Sequence, residues 1–189
     1  MKVSSAWRRF QTWFEPDEPP PAAKPLGWRG ALFLLCVFLL GLMIVGSIQF
    51  SQRTLVGVDG YYHVRYSQIM AERGPLDRFE WTQTSVHRDR FMDKDFLFHV
   101  LMIHFVGSDL RTGPKVLTAL LGALLWLLIA FIAWREGLPR IWLAVLSLLG
   151  AGILFNFRMS LTRPHMLSVL LAVGAVYFLF RRNRWGLVA

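Results

Sequence analysis

The chain has 189 residues, 54% of them hydrophobic and 17% charged, with a formal net charge of +9. A soluble domain of this length spreads its apolar residues over amphipathic faces, whereas here they are gathered into long uncharged runs, which points away from the soluble class. The basic residues flank those runs instead of forming one patch, so the charge does not make a nucleic-acid footprint, and no nucleic acid is expected as a partner.

Residues 1–30 read as a cytoplasmic arm. Trp7, Phe10, Trp13 and Phe14, with Arg8 and Arg9, fit a short interfacial helix. The run Glu15-Pro16-Asp17-Glu18-Pro19-Pro20-Pro21 cannot continue it and reads as a stiff, solvated linker. The first uncharged run follows, the twenty residues Ala31 to Phe50. At ~1.5 Å rise per residue, roughly 20 residues cross a hydrocarbon core of ~30 Å, so this run qualifies as a span. Its length and the spans after it favour a signal anchor over a cleaved signal peptide. Cys36, the only cysteine, lies within it, which excludes an intrachain disulfide or a cysteine zinc cluster.

A polar loop, 51–115, comes next, nearly neutral with nine basic and eight acidic residues. Within it Gly60 to Arg73 reads as a helix, with Asp59 as N-cap and Gly74 as C-terminal stop. Phe96 to Gly107 is apolar but, at twelve residues, too short to span, and fits a helix packed against the bundle or lying at the interface. Three further runs follow: Val116 to Trp134, Ile141 to Phe157 and His165 to Phe180. The third run of the four sits at the short limit for a span, and the fourth needs snorkelling flanks. Arg135, Arg140, Arg181, Arg182 and Arg184, together with the basic arm, place the N-terminus and the 135–140 connection in the cytoplasm. Trp28, Trp134, Trp142 and Trp185 fall at the same ends, where an aromatic belt sits. Gly186 to Ala189 resemble the start of another apolar run, so the chain reads as incomplete at its C-terminus. The expected fold is all-α: a multi-pass helix bundle in the plasma (inner) membrane, with about four spans and a long helical first external loop.

Two segments carry candidate chemistry. In Asp59-Gly60-Tyr61-Tyr62-His63-Val64-Arg65, helical spacing places Asp59, Tyr62, His63, Tyr66 and Met70 on one face, while Arg65 points about 200° away from His63. Spacing alone favours a cap with packed tyrosines. The functional reading is a carboxylate at the membrane surface, able to hold a divalent cation or orient a nucleophile. The second segment is the external turn Arg158-Met159-Ser160-Leu161-Thr162-Arg163-Pro164-His165. Two arginines there run against the positive-inside trend, and a planar guanidinium matches phosphate oxygens. Snorkelling to headgroups and binding of a polyprenyl-linked donor both fit. His99 and His104, about 140° apart on a helix, lack the paired spacing of a zincin and are expected at the interface. Asp89, Asp93 and Asp95 among Arg88, Arg90 and Lys94 read as a solvated ion-paired stretch, with a second catalytic carboxylate as the minor reading.

A first span followed at once by Asp-x-Tyr-Tyr-His-x-Arg resembles the first external loop of the GT-C superfamily of integral-membrane glycosyltransferases, with closest similarity to oligosaccharyltransferase catalytic subunits. The likeness continues at Asp93-Lys94-Asp95-Phe96-Leu97-Phe98-His99. It covers roughly residues 30–180, with specific motifs in perhaps twenty of them. It implies that Asp59 binds a catalytic divalent metal (Mg2+ or Mn2+) and the acceptor, with His63 and Arg65 in support. Where those relatives carry an acidic Asp-x-Asp-like motif, this chain has Arg163-Pro164-His165. That points away from protein N-glycosylation and towards a broader lipid-linked sugar transferase, and it weakens the metal site. His165 supplies at most one nitrogen ligand in place of the acids. The expected function is transfer of a sugar from a polyprenyl-phosphate-linked donor to a glycan, lipid or protein acceptor on the non-cytoplasmic face. Asp59 and His63 are the catalytic pair of that reading, and Arg65, Arg158, Arg163 and His165 hold substrate. A non-catalytic scaffold subunit and a lipid-binding or transport protein are the rival classes. The absence of ionisable residues inside the four runs argues against transport.

Overall fold

The computed structural model describes residues 22–79, 84–107, 109–150 and 153–181. The expected interfacial helix near Trp7, the proline-rich linker and the tail beyond Arg181 lie outside them. Among the described residues every regular element is helical: α1 (Trp28–Phe50), α2 (Asp59–Arg73), a 3-10 turn (Val86–Arg88), α3 (Phe96–Ile103), α4 (Thr112–Arg135), α5 (Ile141–Gly150), α6 (Ile153–Met159) and α7 (His165–Phe180).

Two helices, α1 and α4, are long and apolar enough to cross a membrane. Their 23 and 24 residues correspond to roughly 35 Å of helix. Helix α4 begins at Thr112-Gly113-Pro114, with proline in the first turn, where a missing N–H costs nothing. It ends where Gly137 takes a φ of 64°, its N–H donating to the Trp134 carbonyl at 3.1 Å. The third apolar run is helical on both sides of residues 151 and 152, which lie outside the described set, as α5 and α6. Helix α7 covers the fourth run as expected, and at 16 residues it stays below spanning length by itself. The segment expected as one helix from Phe96 to Gly107 closes at Ile103, after eight residues, where His104 and Phe105 turn back on Leu101 and Met102.

Helix α4 is the centre of the molecule, with α1, α5 and α7 packed on it, while α2 packs on α3. One side of α4 (Leu117, Leu121, Leu125) joins Val64 of α2, Phe98 and Met102 of α3, Met159 and Met166 in one cluster. Its other side (Trp126, Ala130) joins Leu34 and Val37 of α1 and Val145 and Leu148 of α5 in another. The α1–α4 seam is set by glycines. A Cβ on Gly41 would lie 3.1 Å from the Trp126 Cβ, and one on Gly122 would lie 2.9 Å from the Val45 side chain. The outer faces stay apolar and uncovered: Leu32, Leu35, Leu39 and Met43 on α1, Leu143 and Leu146 on α5, Leu171 and Leu179 on α7.

Candidate functional site

Between α1 and α2 the chain reverses at Gly57, whose φ of 85° suits glycine and leaves no room for a side chain, since a Cβ would meet Leu161 at 2.7 Å. Three residues on, a Cβ at Gly60 would lie 3.2 Å from the Thr162 Cβ. These two glycines bring the start of α2 against the 160–163 turn. The turn is held from below: Gln49 Nε2, at the end of α1, donates to the Ser160 carbonyl at 2.5 Å, and the Thr118 and Thr162 hydroxyls lie 3.1 Å apart. All four side chains are buried.

The consequence is an ion pair across 104 positions of sequence. Arg163 Nη2 lies 2.6 Å from Asp59 Oδ2, with both side chains partly open to solvent. Asp59 was expected to cap the helix. It is instead the first helical residue, after Val58, and makes no capping bond. Its carboxylate turns outward to the guanidinium, which is worth more to a charged side chain than an exposed N–H that water also satisfies. Gly74 does terminate α2 as the sequence indicates, with φ 80° and its N–H bonded to the Met70 carbonyl.

Asp59 and Arg163 border a cleft of about 760 Å³, together with Tyr62, His63, Lys94, Asp95, Arg158 and His165. Among the described residues no hydrogen bond or ion pair engages the Arg158 guanidinium, and Arg163 Nε is buried without a partner. His165 Nε2 lies 2.7 Å from the Arg158 carbonyl, so this nitrogen donates. Of the residues predicted from sequence, Asp59, His63, Arg158, Arg163 and His165 therefore meet at one place. Arg65 does not. It is exposed on the far side of α2, bonded to Gln68 Oε1 at 2.5 Å, as its angular position requires, and it does not line the cleft.

The shared face of α2 grades from open to closed. Asp59 and Tyr62 are exposed, whereas His63, Tyr66 and Met70 are buried. Burial, reinforced by the neighbouring His99, lowers the pKa of His63 from 6.5 to about 4, so its ring is neutral at physiological pH. Tyr62 keeps about half of its surface in solvent, and partial desolvation against the His63, Tyr66 and His99 rings pushes its phenol up to about 12, with the Asp93 charge adding to it.

Two expectations for the loop are overturned. His99 is not interfacial: it is fully buried under α2, with the Tyr66 ring 4.6 Å away. Asp93 is not part of a solvated stretch, for its side chain is 7% exposed and its Oδ2 lies 2.7 Å from His99 Nδ1. His99 Nε2 in turn lies 2.8 Å from His63 Nδ1. His104, by contrast, is exposed. The hint in sequence was a histidine inside the apolar stretch Phe96–Ile103, where an imidazole is costly unless both nitrogens are bonded.

Among the described residues no three His, Cys, Asp or Glu side chains gather as a ligand set, and the Asp59 carboxylate faces a guanidinium. A hard cation takes several oxygen ligands, and the carboxylates lining this cleft among the described residues are Asp59 and Asp95. No family model, curated protein or solved structure matches the chain.

Proposed function

We propose that this chain is a membrane glycosyltransferase subunit of GT-C type, its cleft opening on the non-cytoplasmic face of the plasma membrane. It transfers a sugar from a polyprenyl-phosphate-linked donor to a glycan, lipid or protein acceptor. Support for the membrane comes from the spanning length of α1 and α4 and from the uncovered aliphatic faces of α1, α5 and α7, which lipid solvates. Support for the chemistry comes from one observation above the others: the Asp59–Arg163 pair lies in the same cleft as the unengaged Arg158 and as His63.

In this reading Arg158 and Arg163 hold the phosphate of the donor and stabilise the charge that develops on it as the anomeric C–O bond breaks. Asp59 orients the acceptor with the carboxylate oxygen that Arg163 does not take. His63, neutral at physiological pH, stands beside it as a proton acceptor. His165 fixes the backbone under Arg158.

Membranes carrying the chain are incubated with radiolabelled polyprenyl-phosphate hexose, with and without chelator, and a photoreactive polyprenyl phosphate measures donor binding separately. Asp59→Asn is expected to abolish transfer with donor capture retained. Arg158→Ala with Arg163→Ala is expected to weaken capture at least tenfold. Transfer that survives Asp59→Asn removes the catalytic reading. Capture indifferent to both arginines leaves a scaffold, for which the exposed apolar faces of α1 and α7 then become the working surfaces.

A further inference from the structure

The three buried groups Asp93, His99 and His63 form a chain that ends at the cleft wall. A carboxylate only accepts hydrogen bonds, so His99 Nδ1, 2.7 Å from Asp93 Oδ2, carries a proton. When that is the only proton on the His99 ring, its Nε2 is bare and at 2.8 Å accepts from Nδ1–H of His63. That leaves Nε2 of His63 as the unprotonated nitrogen, on a residue that lines the cleft beside Asp59. Each tautomer is dictated by the one before it, starting from Asp93.

We infer that Asp93, His99 and His63 are a proton relay whose accepting atom is His63 Nε2, and that the acceptor substrate it serves is a hydroxyl compound. The substrate half of the statement rests on the transferase reading above. In the step, Nε2 of His63 takes the hydroxyl proton. The O–H electron pair becomes the new bond to the anomeric carbon, and the C–O bond to the donor phosphate breaks with its pair on the phosphate oxygen. The proton on His63 Nδ1 crosses to His99 Nε2, so the positive charge comes to rest on His99, against Asp93. The relay removes the charge from a ring whose burial disfavours it and delivers it to the one with a carboxylate partner. His63 also faces Asp59, Asp95 and Arg163 across the cleft, and the rings of Tyr62 and Tyr66 flank His99. His63 is thus the group that touches substrate, while His99 and Asp93 are positioning residues.

A second feature makes this testable. The other oxygen of Asp93, Oδ1, accepts from the Asp95 N–H at 2.9 Å. In Asp93→Asn that bond holds the amide oxygen in place and turns the amide NH2 towards His99. His99 Nδ1 must then accept, its Nε2 must carry the proton, and His63 must move its own proton to Nε2. One substitution reverses the tautomer of a ring two partners away. The experiment is two-bond 1H–15N correlation on the full chain with 15N-labelled histidine in lipid nanodiscs, signals being assigned with His63→Gln and His99→Gln. Wild type is expected to show a bare Nε2 on His63, and Asp93→Asn a protonated one. In the transfer assay the same variant is expected to lower kcat about 10²-fold with KM nearly unchanged. A wild-type His63 protonated on Nε2, or a His63 tautomer indifferent to Asp93→Asn, overturns the relay. If Asp93→Asn fails to fold, the wild-type tautomer alone decides. Absence of sugar transfer by wild type sinks the transferase reading and leaves the tautomer result standing, so the two failures are distinguishable.

Discussion

The α1–α4 seam and the polar end where α2, α3 and the 160–163 turn meet are built on opposite principles. In the seam, contact depends on what is missing: Gly41 and Gly122 have no side chain, and Trp126 and Val45 occupy the space. Direction matters little there, because dispersion and apolar burial are not directional. At the polar end Gly57 and Gly60 also allow a close approach, but what works within that frame is decided by direction. Asp93, His99 and His63 each have one correct tautomer or orientation, and a single wrong proton propagates. A seam therefore fails by overpacking, and a hydrogen-bond chain fails by inversion.

The sharpest break in the seam compares two glycines of one helix. Gly41 faces Trp126 and Ala123, whereas a Cβ on Gly46 would meet nothing within 4 Å. Gly41→Leu is expected to push α1 off α4 and cost about 3 kcal/mol, the upper range for overpacking. Gly46→Ala is expected to gain about 1 kcal/mol, through helix propensity alone. Thermal midpoints in detergent, measured on both variants, check this; equal behaviour of the two positions would mean that α1 does not dock on α4 through Gly41.

At the polar end the corresponding lever is pH. His63 in the folded chain binds its proton only near pH 4, while in the unfolded chain it does so near 6.5. Between these values the unfolded state holds the extra proton, so stability falls as pH drops through the window from 6.5 to 4 and levels off below it. The loss is on the order of 2 kcal/mol, reduced from the full linkage value because cleft water screens the ring. Denaturation midpoints at a series of pH values, for wild type and His63→Gln, are expected to converge as the pH is lowered. Parallel curves would place the acid sensitivity elsewhere.

The two regions were also unequally legible. Uncharged runs of hydrophobic length gave α1, α4 and α7 to within a few residues, since apolar burial is written directly in composition. Arg158 and Arg163 were legible as charges in a place that charge avoids, and Asp59 through the motif that carries the family resemblance. That Asp59 and Arg163 share one end of the bundle was expected from two loops assigned to one face. Asp93 and His99 were not legible, because nothing in their spacing says that a residue six positions on, across the start of α3, turns back to the carboxylate. Gly57 and Gly60 carry no signal of their own in the sequence. Their role exists only through Leu161 and Thr162, a hundred residues away.

Gln49 tests where the two principles meet, for it belongs to α1 but serves the turn. It is fully buried, its Nε2 donates to the Ser160 carbonyl, and its Oε1 finds no partner among the described residues. Removing the side chain with Gln49→Ala loses a bond and leaves both a gap and an unpaired carbonyl, at a cost of about 2 kcal/mol. Gln49→Leu loses the same bond but fills the gap, so its net cost is expected to be smaller, about 1 kcal/mol. What separates the two kinds of failure is function. If the turn is positioned by direction, Gln49→Leu should lower donor capture by Arg158 and Arg163 more than its small stability loss explains. If the turn is positioned by packing, capture should recover with Leu and be lost only with Ala. Capture of the photoreactive polyprenyl phosphate, normalised to folded protein, reads this directly, and recovery with Leu would move the 160–163 turn out of the directional region and into the seam.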